Sequence, residues 1–162
     1  MSDKFLPFFV RLGLIAMGLC LPACVTYQAH TANPATVHGS HSHQSVYYWD
    51  AFEISKIDGQ SVGAPLTKTA IRVDPGPRLL EVFHRGQRGF GGHLVASGYV
   101  ALAATLKPGR EYEVTGNATG GNVRVWLQEV QTGEKASNVA ERPLIDVQDR
   151  GPEYIPIFVK VR

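Results

Sequence analysis

The sequence predicts an all-β domain, a small antiparallel β-sandwich of about seven strands. Three observations carry that expectation. Seventeen Gly and ten Pro are spread along the 162 residues and punctuate the chain with turns. Apolar residues recur at every second position in several short runs, the period of a half-buried strand. After Ala23 no segment reads as a long helix: the main competitor is His93 to Leu106, where Ala and Leu are common, and Gly98, Tyr99 and Val100 favour strand there.

The first 23 residues stand apart from that domain. Lys4 and Arg11 bring positive charge ahead of Leu12 to Leu21, a run without any charge. About ten apolar residues suit the core of a signal peptide, whereas a spanning helix needs ~20. An uncleaved anchor from Phe5 to Val25 is the competing reading, and Pro7 and Arg11 interrupt it. Leu21-Pro22-Ala23-Cys24 closes the segment. It resembles the lipobox of bacterial lipoproteins, with a branched apolar residue three before the Cys and a small one just before it. Cys20 does not fit, because Leu19 ahead of it is too bulky. The resemblance implies cleavage after Ala23 and lipidation of Cys24. Val25 stands where an inner-membrane retention Asp would be, which implies the outer membrane, with the domain facing the periplasm. More than one acyl chain on the same residue satisfies the need for two anchoring signals.

Removing that segment takes away Lys4, Arg11 and Asp3. Sixteen basic and 14 acidic residues in the whole chain become 14 and 13. The remainder is near neutral, without the basic excess of a nucleic-acid binder. Both cysteines lie in or at the signal, so no disulfide is available and apolar packing must hold the domain.

Residues 24–45 are small, polar and aperiodic, and read as a lipidated Cys followed by a flexible His-rich tether. The domain is then expected over 46–162. Val46 to Ser55 is dense in aromatic and β-branched residues, and Phe52 and Ile54 alternate with Glu53 and Ser55. Asp58-Gly59 is a strong hairpin-turn dipeptide, because both residues tolerate positive φ. Ile71 to Asp74 alternates again, and Pro75-Gly76-Pro77 turns the chain into a strand over Leu79 to His84. Gly86 to Gly92 reads as a Gly-rich loop. Tyr99 to Leu106 places Val100, Leu102, Ala104 and Leu106 on one face. Pro108-Gly109 turns it into Glu111 to Thr115, with Tyr112 and Val114 inward. Gly116 to Gly121 reads as loop, and Val123, Val125 and Leu127 mark the next strand before Thr132-Gly133. Glu134 to Pro152 reads as loop with room for one short helix. Ile157, Val159 and Val161 give a last strand.

These residues together resemble a known pattern. Ile57-Asp58-Gly59, an apolar strand, Val73-Asp-Pro-Gly76 and Leu79-Leu-Glu-Val82 look like the PEGA-type module of bacterial surface proteins. Leu106-Lys-Pro-Gly-Arg-Glu-Tyr-Glu-Val114 is similar to a hairpin of small envelope lipoproteins. The resemblance covers roughly Val46 to Thr115. It implies a carboxypeptidase-regulatory-like β-sandwich acting as a non-enzymatic accessory module, and it brings no catalytic residues.

Four clusters could carry chemistry. Gly59-Gln60-Ser61-Val62-Gly63 matches a nucleophile-elbow pattern, but Pro65 sits where the helix should run and a hairpin turn explains the motif. His38, His41 and His43, with His30 as a further imidazole, could converge on Zn²⁺ or Cu²⁺. As a tether sequence the same cluster would bind such ions only weakly. His84 to His93 sets Arg85, Arg88, Phe90 and His93 on one segment able to meet anionic glycan, phosphate or lipid headgroups. Tyr47, Tyr48, Trp49 and Trp126 could stack on a glycan, although neighbours on a strand face opposite ways. The expectation is therefore a lipid-anchored, non-enzymatic envelope lipoprotein without a cofactor. It would meet the membrane through its lipid and an envelope protein or glycan through its loops. The alternative is a periplasmic metal-binding protein built on His38, His41 and His43.

Overall fold

A computed structural model describes residues 26–63, 69–90 and 92–147. Cys24 and the strand expected at Ile157 to Val161 lie outside the described residues. Within them the chain is all strand and turn, in two packed sheets. The first sheet has the order β10-β9-β8-β1-β5, built from Ala140–Pro143, Asn122–Glu129, Glu111–Thr119, Ala35–His38 and Ile71–Val73. The second has the order β11-β7-β6-β3-β2, built from Ile145–Asp146, His93–Leu106, Gly76–Arg88, Tyr48–Ile57 and Ser40–Ser45. The short β4 (Gln60–Ser61) also pairs with β3.

Among the described residues there are eleven strands where about seven are expected for the whole domain, and the difference lies in short or polar segments. Residues 35–45, expected within the tether, form β1 and β2. Ala35 and Val37 are fully buried in the core, and Gly39 carries the chain from one sheet to the other. The ordered domain therefore begins ahead of residue 46. Thr26 already bridges Ser61, and the Tyr27 amide donates to the Ser61 carbonyl at 2.7 Å. The sheets are not wholly antiparallel either, because β1 runs parallel to β8. The segment from Glu134 contributes β10 and β11 rather than a plain loop.

Other expectations coincide with what is found. Asp58 and Gly59 have φ of 49° and 80°, the positive values a tight hairpin turn requires, and they join β3 to β4. Ser61 is thus a strand residue paired with Lys56, not the tip of an elbow before a helix. The alternation over 99–106 holds throughout: Val100, Leu102, Ala104 and Leu106 are buried while Tyr99, Ala101, Ala103 and Thr105 face outward.

The core lies between the sheets. Phe52, Ile54, Leu80, Val82, Val100 and Leu102 from the second sheet meet Val37, Tyr112, Val114, Val123, Val125 and Leu127 from the first. Burying a side chain of this size contributes about 1.5–3 kcal/mol. With no thiol available for a crosslink in this region, such packing supplies the stability. Among the described residues Tyr112 is the largest fully buried side chain, and its hydroxyl accepts the Lys107 amide at 2.8 Å. That bond closes the Pro108-Gly109 turn. We expect Tyr112→Phe to cost about 1–2 kcal/mol in denaturant unfolding, because the Lys107 N–H loses its partner. An unchanged midpoint would show that the amide finds another acceptor.

The strand directions give the sandwich two distinct ends. At one, the β2–β3, β6–β7 and β8–β9 hairpins turn at Val46-Tyr47, Gly89-Phe90 and Gly120-Gly121. At the other lie Asp58-Gly59, Asp74-Pro75, residues 107–110 and residues 130–133.

Candidate functional site

The end carrying Val46 and Phe90 holds most of the chemically distinctive side chains. Its base is the β3–β6 pair. Phe52 lies opposite His84, and Asp50 opposite Gly86, so period-two alternation puts Asp50, Phe52 and His84 on the core face. His84 Nε2 meets Asp50 Oδ1 at 2.8 Å, and Arg88 donates to the same oxygen at 2.5 Å. A second Arg88 nitrogen donates to the carbonyls of Trp49 and Gln87, both at 2.9 Å. Asp50 and His84 are buried, His84 at 0% exposure.

Gly86 is what lets this cluster close. A Cβ there would stand 2.6 Å from the Trp49 carbonyl, 2.7 Å from Asp50 Oδ1 and 3.0 Å from the Arg88 guanidinium. Gly86 is thus a strand residue inside β6, not part of a flexible loop, and β6 continues to Arg88. Burial works against the Asp50 charge. The hydrogen bonds from His84 and Arg88, with the Arg88 charge, outweigh it and hold the carboxyl below its ordinary value.

A buried Asp–His pair is also part of a catalytic triad, and Ser97 lies nearby in β7, at the irregularity facing His84 and Arg85. His84 Nδ1 and Ser97 Oγ are buried with no hydrogen-bond partner among the described residues. Complete burial of the imidazole decides how this group acts. No substrate in solution can reach it in this conformation, and it binds β3 to β6 instead.

The expected binding cations are also engaged within the fold. Arg85 pairs with the buried Glu53 at 2.7 Å on the outer face of the second sheet. Arg88 closes on Asp50. His93 lies 3.5 Å from Asp146. Phe90 alone keeps the expected character: it is 84% exposed and its ring lies 4.6 Å from that of Tyr47. Val46, the chain neighbour of Tyr47, is 80% exposed. Two adjacent hairpin tips therefore present one aromatic and aliphatic patch. Sequence reasoning named Phe90 but missed its union with Val46 and Tyr47, because the β2 strand that places them beside Phe90 was read as tether.

His38, His41 and His43 do not converge. His38 ends β1 in the first sheet, where its Nε2 lies 3.4 Å from Glu111. His41 and His43 sit two apart on β2 in the second sheet, side by side at 4.1 Å between ring centroids, with Trp49 next to His41 at 5.3 Å. Gly39 separates the two sets. His30 is at the opposite end of the sandwich, against Asp74. Among the described residues no three His, Cys, Asp or Glu side chains form a metal-binding group. The aromatic platform is divided too: Trp126 lies on β9 in the first sheet, under Lys135, away from Tyr47 and Trp49.

No family model matches this chain, and no curated protein or solved structure matches it either.

Proposed function

We propose that this chain is a lipid-anchored, non-enzymatic lipoprotein of the bacterial envelope, an accessory module that meets a partner through its hairpin tips. The observation that carries the reading is Cys24 itself. It follows a charge-free run of signal-peptide length and sits immediately ahead of a β-sandwich. Lipid on Cys24 would hold the sandwich at the outer membrane, on the periplasmic side.

Two features support an accessory role over a catalytic one. The buried polar groups Asp50, Glu53, His84 and Glu129 are used inside the fold, the first three to tie β3 to β6. The exposed chemistry is the Val46-Tyr47-Phe90 patch, and aromatic residues of this kind carry much of the affinity at protein interfaces. The Asp58-Gly59 and Pro75-Gly76 turns, on which the PEGA-type resemblance rests, both sit between strands of the sandwich, which supports the same reading.

Cys24→Ala tests the anchor. In a bacterial host supplied with radiolabelled fatty acid, wild type should incorporate label, lose 23 residues and sediment with membranes. The variant should stay unlabelled and unprocessed. A variant that matures and fractionates like wild type would refute the proposal.

A further inference from the structure

We propose that His41 and His43 form a two-imidazole chelate for Cu²⁺ on the outer face of β2, with water at the remaining positions of the ion.

Strand alternation makes the site. Ser40-His41-Ser42-His43 in β2 sends both imidazoles to one face and both serines to the other. His41 pairs with Ala51 and His43 with Trp49. Ala51 and Trp49 share a face of β3 with Glu53, which meets Arg85 on the outer side of the second sheet. The two imidazoles therefore stand on that outer side, where both are exposed. Pairing with β3 fixes them as neighbours, whereas a flexible tether would have to gather them at an entropic cost.

The spacing selects the ion. An imidazole nitrogen sits about 2.0 Å from a bound divalent ion, which puts its ring centre ~3.2 Å away. Two such rings at right angles about the ion have centres ~4.5 Å apart, and at the tetrahedral angle ~5.2 Å. The ring centres of His41 and His43 are 4.1 Å apart, near the right-angle value. Cu²⁺ takes tetragonal sets of nitrogen and oxygen and binds imidazole more tightly than the other divalent ions of its row, so it fits this pair better than tetrahedral Zn²⁺. The ring planes now stand at 71°. Rotation about exposed side-chain torsions, a ps–ns motion, brings one nitrogen of each ring to the ion without moving the strand.

The surroundings set the ligand count at two. Glu53, on the same face of β3, is held by Arg85 at 2.7 Å. Asp50 faces the core and is held by His84 and Arg88. His38 lies in the first sheet against Glu111. An ion on His41 and His43 thus keeps open positions, and the site is one that takes up Cu²⁺ and yields it to a fuller ligand set. It does not depend on lipid at Cys24.

A reporter is built in. Trp49 lies 5.3 Å from His41, and the other tryptophan, Trp126, is in the first sheet. The test uses the full chain in detergent, without a polyhistidine tag, carrying Cys20→Ser and Cys24→Ser so that no thiol competes, and Trp126→Phe so that Trp49 alone emits. Titration with CuSO₄ should quench Trp49 saturably. His41→Ala and His43→Ala should each raise the Cu²⁺ Kd at least about tenfold, because the second imidazole of a chelate binds intramolecularly, while His38→Ala should stay within about twofold. The exchange Ser42→His/His43→Ser keeps the number of imidazoles but turns one to the other face, and should lose as much as His43→Ala. All these positions but His38 are exposed on β2, so unfolding midpoints without metal should match wild type there. Wild-type affinity in either single variant or in the exchange overturns the site, as does an equal loss in His38→Ala. Affinity kept by the exchange alone would mean that a flexible His-rich segment, not the strand, holds the ion.

Discussion

Asp50→Ala is expected to cost about 3–5 kcal/mol of folding stability, the largest loss of any single polar substitution in the domain. The substitution removes the acceptor shared by His84 Nε2 and Arg88; the buried His84 loses its Nε2 partner, and Arg88 keeps only the Trp49 and Gln87 carbonyls and no counter-charge. A buried partner left without its counter-charge loses more than the pair contributed, because its desolvation is no longer offset. Asp50→Asn keeps an oxygen for one of the two donors and should lose less. The acid limb gives an independent reading. The folded carboxyl titrates below its ordinary 3.8, so it contributes stability that is complete above the unfolded value. That contribution disappears as pH falls through the lowered folded value. Wild type should therefore lose stability as the medium is taken below about pH 4, and Asp50→Asn should show a shallower fall over that window. Denaturant unfolding from pH 6 to 2.5 measures both. If Asp50→Ala unfolds within 1 kcal/mol of wild type, the cluster does not stabilise the fold.

The same cluster shows where sequence legibility ends. The strands around it were readable because Phe52, Ile54 and Val100 to Leu106 alternate, and because Asp58-Gly59 and Pro108-Gly109 can only be turns. The pairings were not readable. Arg85 and Arg88 meet Glu53 and Asp50 across separations of 32 and 38 residues, and no local pattern announces a bond of that span. In a run with Gly89, Gly91 and Gly92, Gly86 looks like one more source of flexibility. Its function appears only when the Trp49 carbonyl and Arg88 are seen against it. β2 escaped for a different reason. Ser-His-Ser-His-Gln-Ser exposes nearly all its side chains at a sheet edge, so its order comes from backbone pairing with β3 and leaves no apolar period. β1 has only Ala35 and Val37 facing inward, too few to set a period. Reading both as tether hid the Val46-Tyr47 tip from its neighbour Phe90.

Gly116→Ala is the second large effect, expected at about 3 kcal/mol. The sequence reads Gly116 as loop, yet it lies within β8, paired with Val125. A Cβ there would drive into the Arg124 carbonyl on β9 and stand 2.7 Å from Phe52 Cζ in the facing sheet. Neither neighbour can yield cheaply. The carbonyl belongs to the β8–β9 ladder, and the Phe52 ring rests on His84 at 5.0 Å, so a displaced ring presses on the Asp50 cluster. Gly120→Ala separates this crowding from ordinary glycine strain. Gly120 has φ of 63° and nothing within 4 Å of a built Cβ, so its cost is backbone alone, about 1–2 kcal/mol. Coupling to Phe52 then distinguishes the two positions. Phe52→Leu withdraws the ring edge, and the Gly116→Ala/Phe52→Leu pair should lose at least about 1 kcal/mol less than the sum of its singles. The Gly120→Ala/Phe52→Leu pair should be additive. Equal coupling at the two sites, or none at Gly116, would mean that the sheets can part around a methyl group there, and that Gly116 does not set the spacing between them.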